Sequence, residues 1–359
     1  MNDDRLRMTP GPTAVPEPVR ERMGEPTPNP DVEPEFVEFY RGLTDKLEAV
    51  YGDDDIAILS GEGILGLEAA IASLVEEGDR VLCLANGIYG EGFADFVESY
   101  GGEAVVCESP WRGPLDLEAI ESTLEDAGGE FVAATMVHCE TPTGVLNDLE
   151  PVLDLLAEYD VLSVVDAVSS LGGTPVPADR IDVCIGATQK CFSAPPGLTV
   201  LSISDAAWER IEATETSGYY TDLEPWHTAA DEEWFPYTMP VSNLYGLEAA
   251  IDLLREEGLE SVFARHEEVA RVCRERAREM GLEVYPDDEE LCSPTVTALD
   301  VEGRALELQE RMDEDHDIVL STGLYDLEDD ILRIGHMGHN ARLEKVERTM
   351  DALEDVLNE

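Results

Sequence analysis

The chain has 359 residues, 43% of them hydrophobic, enough for two ordinary domains or one large α/β domain with a smaller appendage. Eighty Asp and Glu against 23 Lys and Arg give a net charge of −57, spread along the whole length rather than gathered into a tail. With no basic stripe, nucleic acid and anionic membranes are excluded as expected partners. Such a surface on a normal core points to a salt-rich cytoplasm, where self-repulsion is screened.

The sequence opens with Asn2-Asp3-Asp4 and shows neither a signal peptide nor an apolar run of membrane-spanning length, so a cytoplasmic, soluble protein is expected. Residues 9 to 34 are rich in Pro and Gly and read as an extended, turn-filled arm. Helix and strand patterns then alternate: helix Phe36–Tyr51, strand Ile56–Leu59, helix Leu65–Val75, strand Arg80–Leu84, helix Gly92–Tyr100 and strand Ala104–Glu108. The alternation continues with helix Leu117–Ala127, strand Phe131–Val137, helix Leu149–Tyr159, and strands Val161–Val165, Asp182–Ile185 and Thr199–Ile203. Short, continuously apolar strands separated by helices predict an α/β fold, a mostly parallel sheet covered on both faces.

Beyond about Tyr245 the texture changes. Long helices are predicted from Gly246 to Glu256 and from Val262 to Met280. Strands follow near Glu283–Tyr285, Thr295–Leu299, Ile318–Leu320 and Ile331–Ile334, before a last helix, Leu343–Leu357. The expected organisation is therefore a large domain over residues 1–245, arm included, and a small α+β domain over 246–359. The seven cysteines are odd in number, form no CxxC pair and lie mostly in apolar stretches, which suggests reduced, buried thiols. No residue set is assigned to a metal.

In sheets of this kind, sites sit at the carboxyl ends of strands. The strand Val161–Val165 runs into Asp166, and the strand Asp182–Ile185 runs into Gly186-Ala187-Thr188-Gln189-Lys190. One carboxylate and one ammonium thus lie past the ends of neighbouring core strands. A buried ion pair is the simpler explanation. Against it, the chain has only three lysines, Lys46, Lys190 and Lys345, and one is placed where a long cation is costly to hide. A desolvated lysine has a lowered pKa, as an amine nucleophile requires. Pyridoxal chemistry uses this pairing: the amine forms an imine and moves the α-proton, while an aspartate keeps the ring nitrogen protonated.

The stretches Gly61–Glu68, His138–Leu146, Val165–Gly173 and Gly186–Gly197 resemble the class V aminotransferases of fold type I, in particular their alanine–glyoxylate and serine–pyruvate branch. Thr9-Pro10-Gly11-Pro12-Thr13 and Arg333-Ile334-Gly335-His336-Met337-Gly338 are similar to that family as well, and the matches run in order over nearly the whole chain. The resemblance implies pyridoxal 5'-phosphate as cofactor, held as a Schiff base by Lys190 with Asp166 at the pyridine nitrogen. It implies Val168 and Tyr89 on the two ring faces, Thr141 near the phenolic oxygen and Arg333 on the substrate carboxylate. Gly63 and Gln189 fall at the phosphate end. Members are homodimers, which places Thr238 at the partner's phosphate site. An amino donor and a small 2-oxo acid, pyruvate or glyoxylate, would be the substrates.

One position departs from the pattern. In the turn Ser60-Gly61-Glu62-Gly63-Ile64, the family usually has a small hydroxyl residue where this chain has Glu62. A carboxylate about 4 Å from a phosphate would cost roughly 1–4 kcal/mol per unit charge. The substitution resembles the pyridoxamine–pyruvate branch, in which unphosphorylated pyridoxamine is a substrate. That branch also has a second arginine where this chain has Leu324. The alternative for Glu62 is a helix cap that swings aside for a phosphate. Class V also includes cysteine desulfurases, which need a nucleophilic cysteine on a mobile loop; Cys292, followed closely by Ser293-Pro294, is the one candidate.

Overall fold

The computed structural model describes residues 5–52, 55–127, 130–216 and 218–358; the opening Asn2-Asp3-Asp4 lies outside them. Seven strands form the large sheet: β1 (Asp55–Leu59), β2 (Arg80–Ala85), β3 (Glu103–Glu108), β4 (Phe131–Val137), β5 (Leu162–Asp166), β6 (Val183–Ala187) and β7 (Thr199–Ile203). Their order is β1-β7-β6-β5-β4-β2-β3. Pairing is parallel from β6 through β5, β4 and β2 to β3, whereas β7 runs antiparallel to both β6 and β1. Parallel neighbours require crossovers, which the intervening helices supply. Both faces of β6 and β7 are buried, which explains why their sequences are continuously apolar rather than alternating.

The second sheet is antiparallel, with strands β8 (Glu283–Val284), β9 (Thr297–Asp300), β10 (Ser321–Thr322) and β11 (Ile331–Ile334) in the order β8-β9-β11-β10. Helices Leu259–Glu279, Ala305–His316 and Leu343–Asn358 cover it around a core that includes Leu299, Leu308, Met312, Leu332 and Leu353.

The observed elements differ from the sequence reading at several points. The helix expected to open the small domain starts at Val241 and buries Leu244, Leu247, Ile251 and Leu254 in the large core, so a division after residue 245 cuts through a large-domain helix. The arm contains a helix, Glu17–Met23, begun by a proline in its first turn. The arm also crosses to the small domain: Leu6 and Arg7 pair with Ile318 and Val319, and Met8 is buried in the small core. The strand expected at Ile318–Leu320 therefore serves the arm rather than the four-stranded sheet. Helices Asp205–Ala213 and Ala305–His316 have no counterpart in the sequence reading.

Candidate active site

Because β5 and β6 are parallel neighbours, with Asp166 opposite Ile185, their carboxyl ends deliver Asp166 and the turn Thr188-Gln189-Lys190 to the same edge. The turn is closed by Ser193 N–H donating to Lys190 O (3.0 Å) and Ala194 N–H to Thr188 O (3.0 Å). The arm packs across it. Thr13 N–H donates to Gln189 O (2.9 Å), and Lys190 Nζ donates to Pro10 O (2.7 Å). Gly11 has φ +101°, and a methyl group there would lie 2.4 Å from Lys190 Cδ and 2.9 Å from Nζ. Only glycine lets the arm run this close to the lysine.

Asp166 is 6% exposed, and its Oδ1 accepts from Val168 N–H (2.8 Å). Burial pushes its carboxyl up to about 6, against the pull of the Val168 amide and Lys190. Burial, then the charge of Arg333, holds the Lys190 ammonium below its ordinary value; Asp166 acts in the opposite sense. No carboxylate lies within ion-pair distance of Lys190 among the described residues, so the pair is not a simple salt bridge.

A cavity of about 270 Å³ opens between them. Lys190, Asp166, Val168, Tyr89, Thr141, Glu62, Gly63 and Gln189 all line it. Thr141 Oγ1 shares a short hydrogen bond with Ser169 Oγ. Gly63 packs against Val168, where a methyl group would meet Cγ2 at 2.9 Å. Glu62 is the N-cap of the helix Gly63–Leu74: its Oε1 accepts from Ile64 N–H (3.3 Å) and its Oε2 from Gln189 Nε2 (3.4 Å). Gln189 Oε1 is buried with no partner among the described residues.

Arg333 reaches the site from β11. It is 7% exposed, its Nε donates to Thr322 O (2.6 Å), and no carboxylate among the described residues pairs with it. Burial lowers its guanidinium to about 10, with Tyr89 opposing. A buried guanidinium without a carboxylate partner among the described residues keeps N–H donors of the fork that suits a carboxylate. Thr238 lies elsewhere, in a groove with Thr27–Asp31, donating to Asp31 Oδ2 (3.1 Å). Cys292 does not line the cavity; its Sγ donates to Asp288 O (3.6 Å), and burial raises its thiol.

Sequence reading left out several contributors. Gly11, Pro12, Ile64, Leu67, Ser169 and Pro196 complete the lining. Glu140 lies just behind it, its carboxylate accepting from the amides of Tyr89 (3.3 Å) and Gly90 (2.7 Å). The Thr9–Thr13 motif carries a signal for Gly11 and Pro12; Glu140 carries none beyond its place in His138–Leu146.

The class V aminotransferase family profile matches residues 35–327, most of the chain. A pyridoxamine–pyruvate transaminase of Mesorhizobium japonicum is 35% identical over 87% of this chain and 81% of its own. The crystal structure of a pyridoxamine–pyruvate aminotransferase from Mesorhizobium loti superposes with a TM-score of 0.94 at 31% identity, covering 98% of this chain and 92% of that one. That of an alanine–glyoxylate aminotransferase from Nostoc gives 0.93 at 30%, covering 98% and 95%. The chain belongs to the class V aminotransferases of fold type I and is a transaminase.

The residues present fit a pyridoxal ring. A lysine amine and a buried carboxylate share one cavity with Val168 and Tyr89, and a hydroxyl pair lies beside them. The phosphate end fits less well, because the cap at the helix N-terminus is already a carboxylate.

Proposed function

We propose that this enzyme moves an amino group between pyridoxamine and pyruvate, giving pyridoxal and L-alanine, with the B6 ring entering and leaving without phosphate. The observation that carries this reading is Glu62. It occupies the turn where a helix N-terminus would otherwise receive an anion, and it takes up the Ile64 amide. Its carboxylate and the unpartnered Gln189 Oε1 are both acceptors, which suits a hydroxymethyl O–H and opposes a phosphate.

When bound, the ring supplies an aldehyde or amine carbon and an electron sink. The chain's own groups do the rest. Asp166 holds a proton at the ring nitrogen, Tyr89 and Val168 confine the ring faces, and Arg333 binds the 2-oxo acid carboxylate through its free N–H groups. Lys190, its pKa lowered, would as the free amine take a proton from the aminomethyl carbon of pyridoxamine and deliver it to the former carbonyl carbon of pyruvate, which becomes Cα of L-alanine. We place Thr238 at the site of a partner in a homodimer, because its groove lies outside this chain's own cavity, and the enzyme in a salt-rich cytoplasm.

Binding of pyridoxal and of pyridoxal 5'-phosphate, compared by visible absorbance in high salt, tests the assignment. The wild type is expected to favour pyridoxal. Glu62→Ser should shift the ratio toward the phosphate form by about tenfold or more, the scale of removing one nearby charge. Tight binding of the phosphate form alone by the wild type would overturn it. The second reading is a phosphate-dependent alanine– or serine–glyoxylate aminotransferase. It is favoured by the exposure of Glu62 and the length of its two hydrogen bonds, which would let the side chain swing aside.

A further inference from the structure

The chain carries eighty acidic residues. Among the described residues only two are buried, Asp166 and Glu140, and both are at this site. Asp166 has an assigned partner in the ring nitrogen. Glu140, with no exposed surface, has no assigned task and no cation within ion-pair distance among the described residues. A buried carboxylate without a counter-charge is costly to keep.

Its bonds show what holds it. Oε1 accepts from Gly90 N–H (2.7 Å) and Oε2 from Tyr89 N–H (3.3 Å), the first-turn amides of the helix Ile88–Ser99. That helix has no side-chain cap of its own, since its N-cap residue is Gly87. A methyl group on Gly87 would lie 2.5 Å from the Glu140 carboxyl carbon, so the carboxylate occupies the space a local cap would use. A helix N-terminus is where unpaired amides and the helix dipole favour a negative group. Burial, opposed by these two amides, raises the carboxyl to about 8.

The other end of Glu140 is anchored to the remaining ring contacts. It lies in the hairpin Cys139–Glu140/Val145–Leu146, with its carbonyl accepting from Gly144 N–H (2.8 Å). The next residue is Thr141, bonded to Ser169. Two residues before Glu140, His138 N–H donates to Asp166 O (2.9 Å). The hairpin is therefore registered to Asp166 and Thr141, and Glu140 links it to the helix bearing Tyr89.

We infer that Glu140 is a positioning residue, whose carboxyl group fixes Tyr89 over the ring by holding the two amides that begin its helix. The inference rests on Tyr89 being a wall of the ring site. It does not depend on whether the ring carries phosphate.

Full-length wild type, Glu140→Ala, Glu140→Gln, Tyr89→Ala and the double variants distinguish positioning from mere stabilisation. Pyridoxal affinity and the visible circular dichroism of bound pyridoxal are measured beside thermal unfolding. Glu140→Ala should weaken affinity about tenfold, the scale of one aromatic contact, and alter the visible circular dichroism. Glu140→Gln, which keeps an acceptor oxygen for Gly90, should recover part of both. With Tyr89 already alanine, either change at Glu140 should cost little more. A Glu140→Ala protein that binds pyridoxal with wild-type affinity and circular dichroism would overturn the inference, as would losses that simply add to those of Tyr89→Ala. If Glu140→Ala does not fold, the Glu140→Gln and Tyr89→Ala pair settles the question by the same additivity test. A wild type that binds only pyridoxal 5'-phosphate sinks the substrate assignment, and the same cycle is then read with that ligand.

Discussion

In the role we propose, Lys190 must be uncharged to capture an aldehyde, so capture should rise as pH climbs through its pKa, which lies below the usual 10.5. Its neighbours act with opposite signs. Arg333→Gln removes a positive charge that favours the free amine, so the midpoint of pyridoxal capture should move to higher pH. Asp166→Asn removes the negative charge that favours the ammonium, so the midpoint should move lower. An absorbance titration with pyridoxal, which has no carboxylate for Arg333, reads both; two unmoved midpoints would contradict the electrostatic account. Lys190 and Asp166 are legible in the sequence because apolar strands run directly into them. Arg333 is legible only within its motif, since an isolated arginine in acidic sequence reads as surface. Glu140 is not legible, because a glutamate in a two-residue strand has no periodicity to mark it as buried, and its partners are backbone amides some fifty positions away.

At the level of elements, the arm is the feature that the Pro and Gly count describes least well. Composition announces turns but not the strand pairing at Leu6–Arg7, which depends on a distant partner. Gly11→Ala tests its contact with Lys190. The added methyl must displace the lysine or the arm, and the φ of +101° adds strain. Pyridoxal capture should fall at least tenfold, about 1.4 kcal/mol, with little change in thermal unfolding; unchanged capture would mean that the arm yields. The unanticipated helix Asp205–Ala213 does carry a signal, because Ser204 caps it by accepting from Ala207 N–H (3.2 Å). The helix Ala305–His316 has a sparse apolar stripe, with only Leu308 and Met312 buried beyond Ala305. The parallel sheet is legible because strands buried on both faces announce themselves by unbroken apolar runs.

Across the whole molecule, the charge of −57 repels itself at every distance that solvent does not screen. Arginines on the surface are shared between carboxylates: Arg276 contacts Asp351 and Glu354, and Arg271 contacts Glu268 and Glu275. Raising KCl from about 0.1 M to about 1 M shortens the screening length from ~10 Å to ~3 Å. The melting temperature should rise over that range, and a fall would count against a high-salt setting. The arm has a different consequence, in time rather than in space. Its first strand pairs with residues roughly 300 positions later, and Gly335 N–H closes on Met8 O. During synthesis, the arm therefore cannot find its place until some three hundred later residues have been made. The large sheet can assemble before that, but the carbonyl that Lys190 meets is set only once the strands around Ile318 and Gly335 are in place.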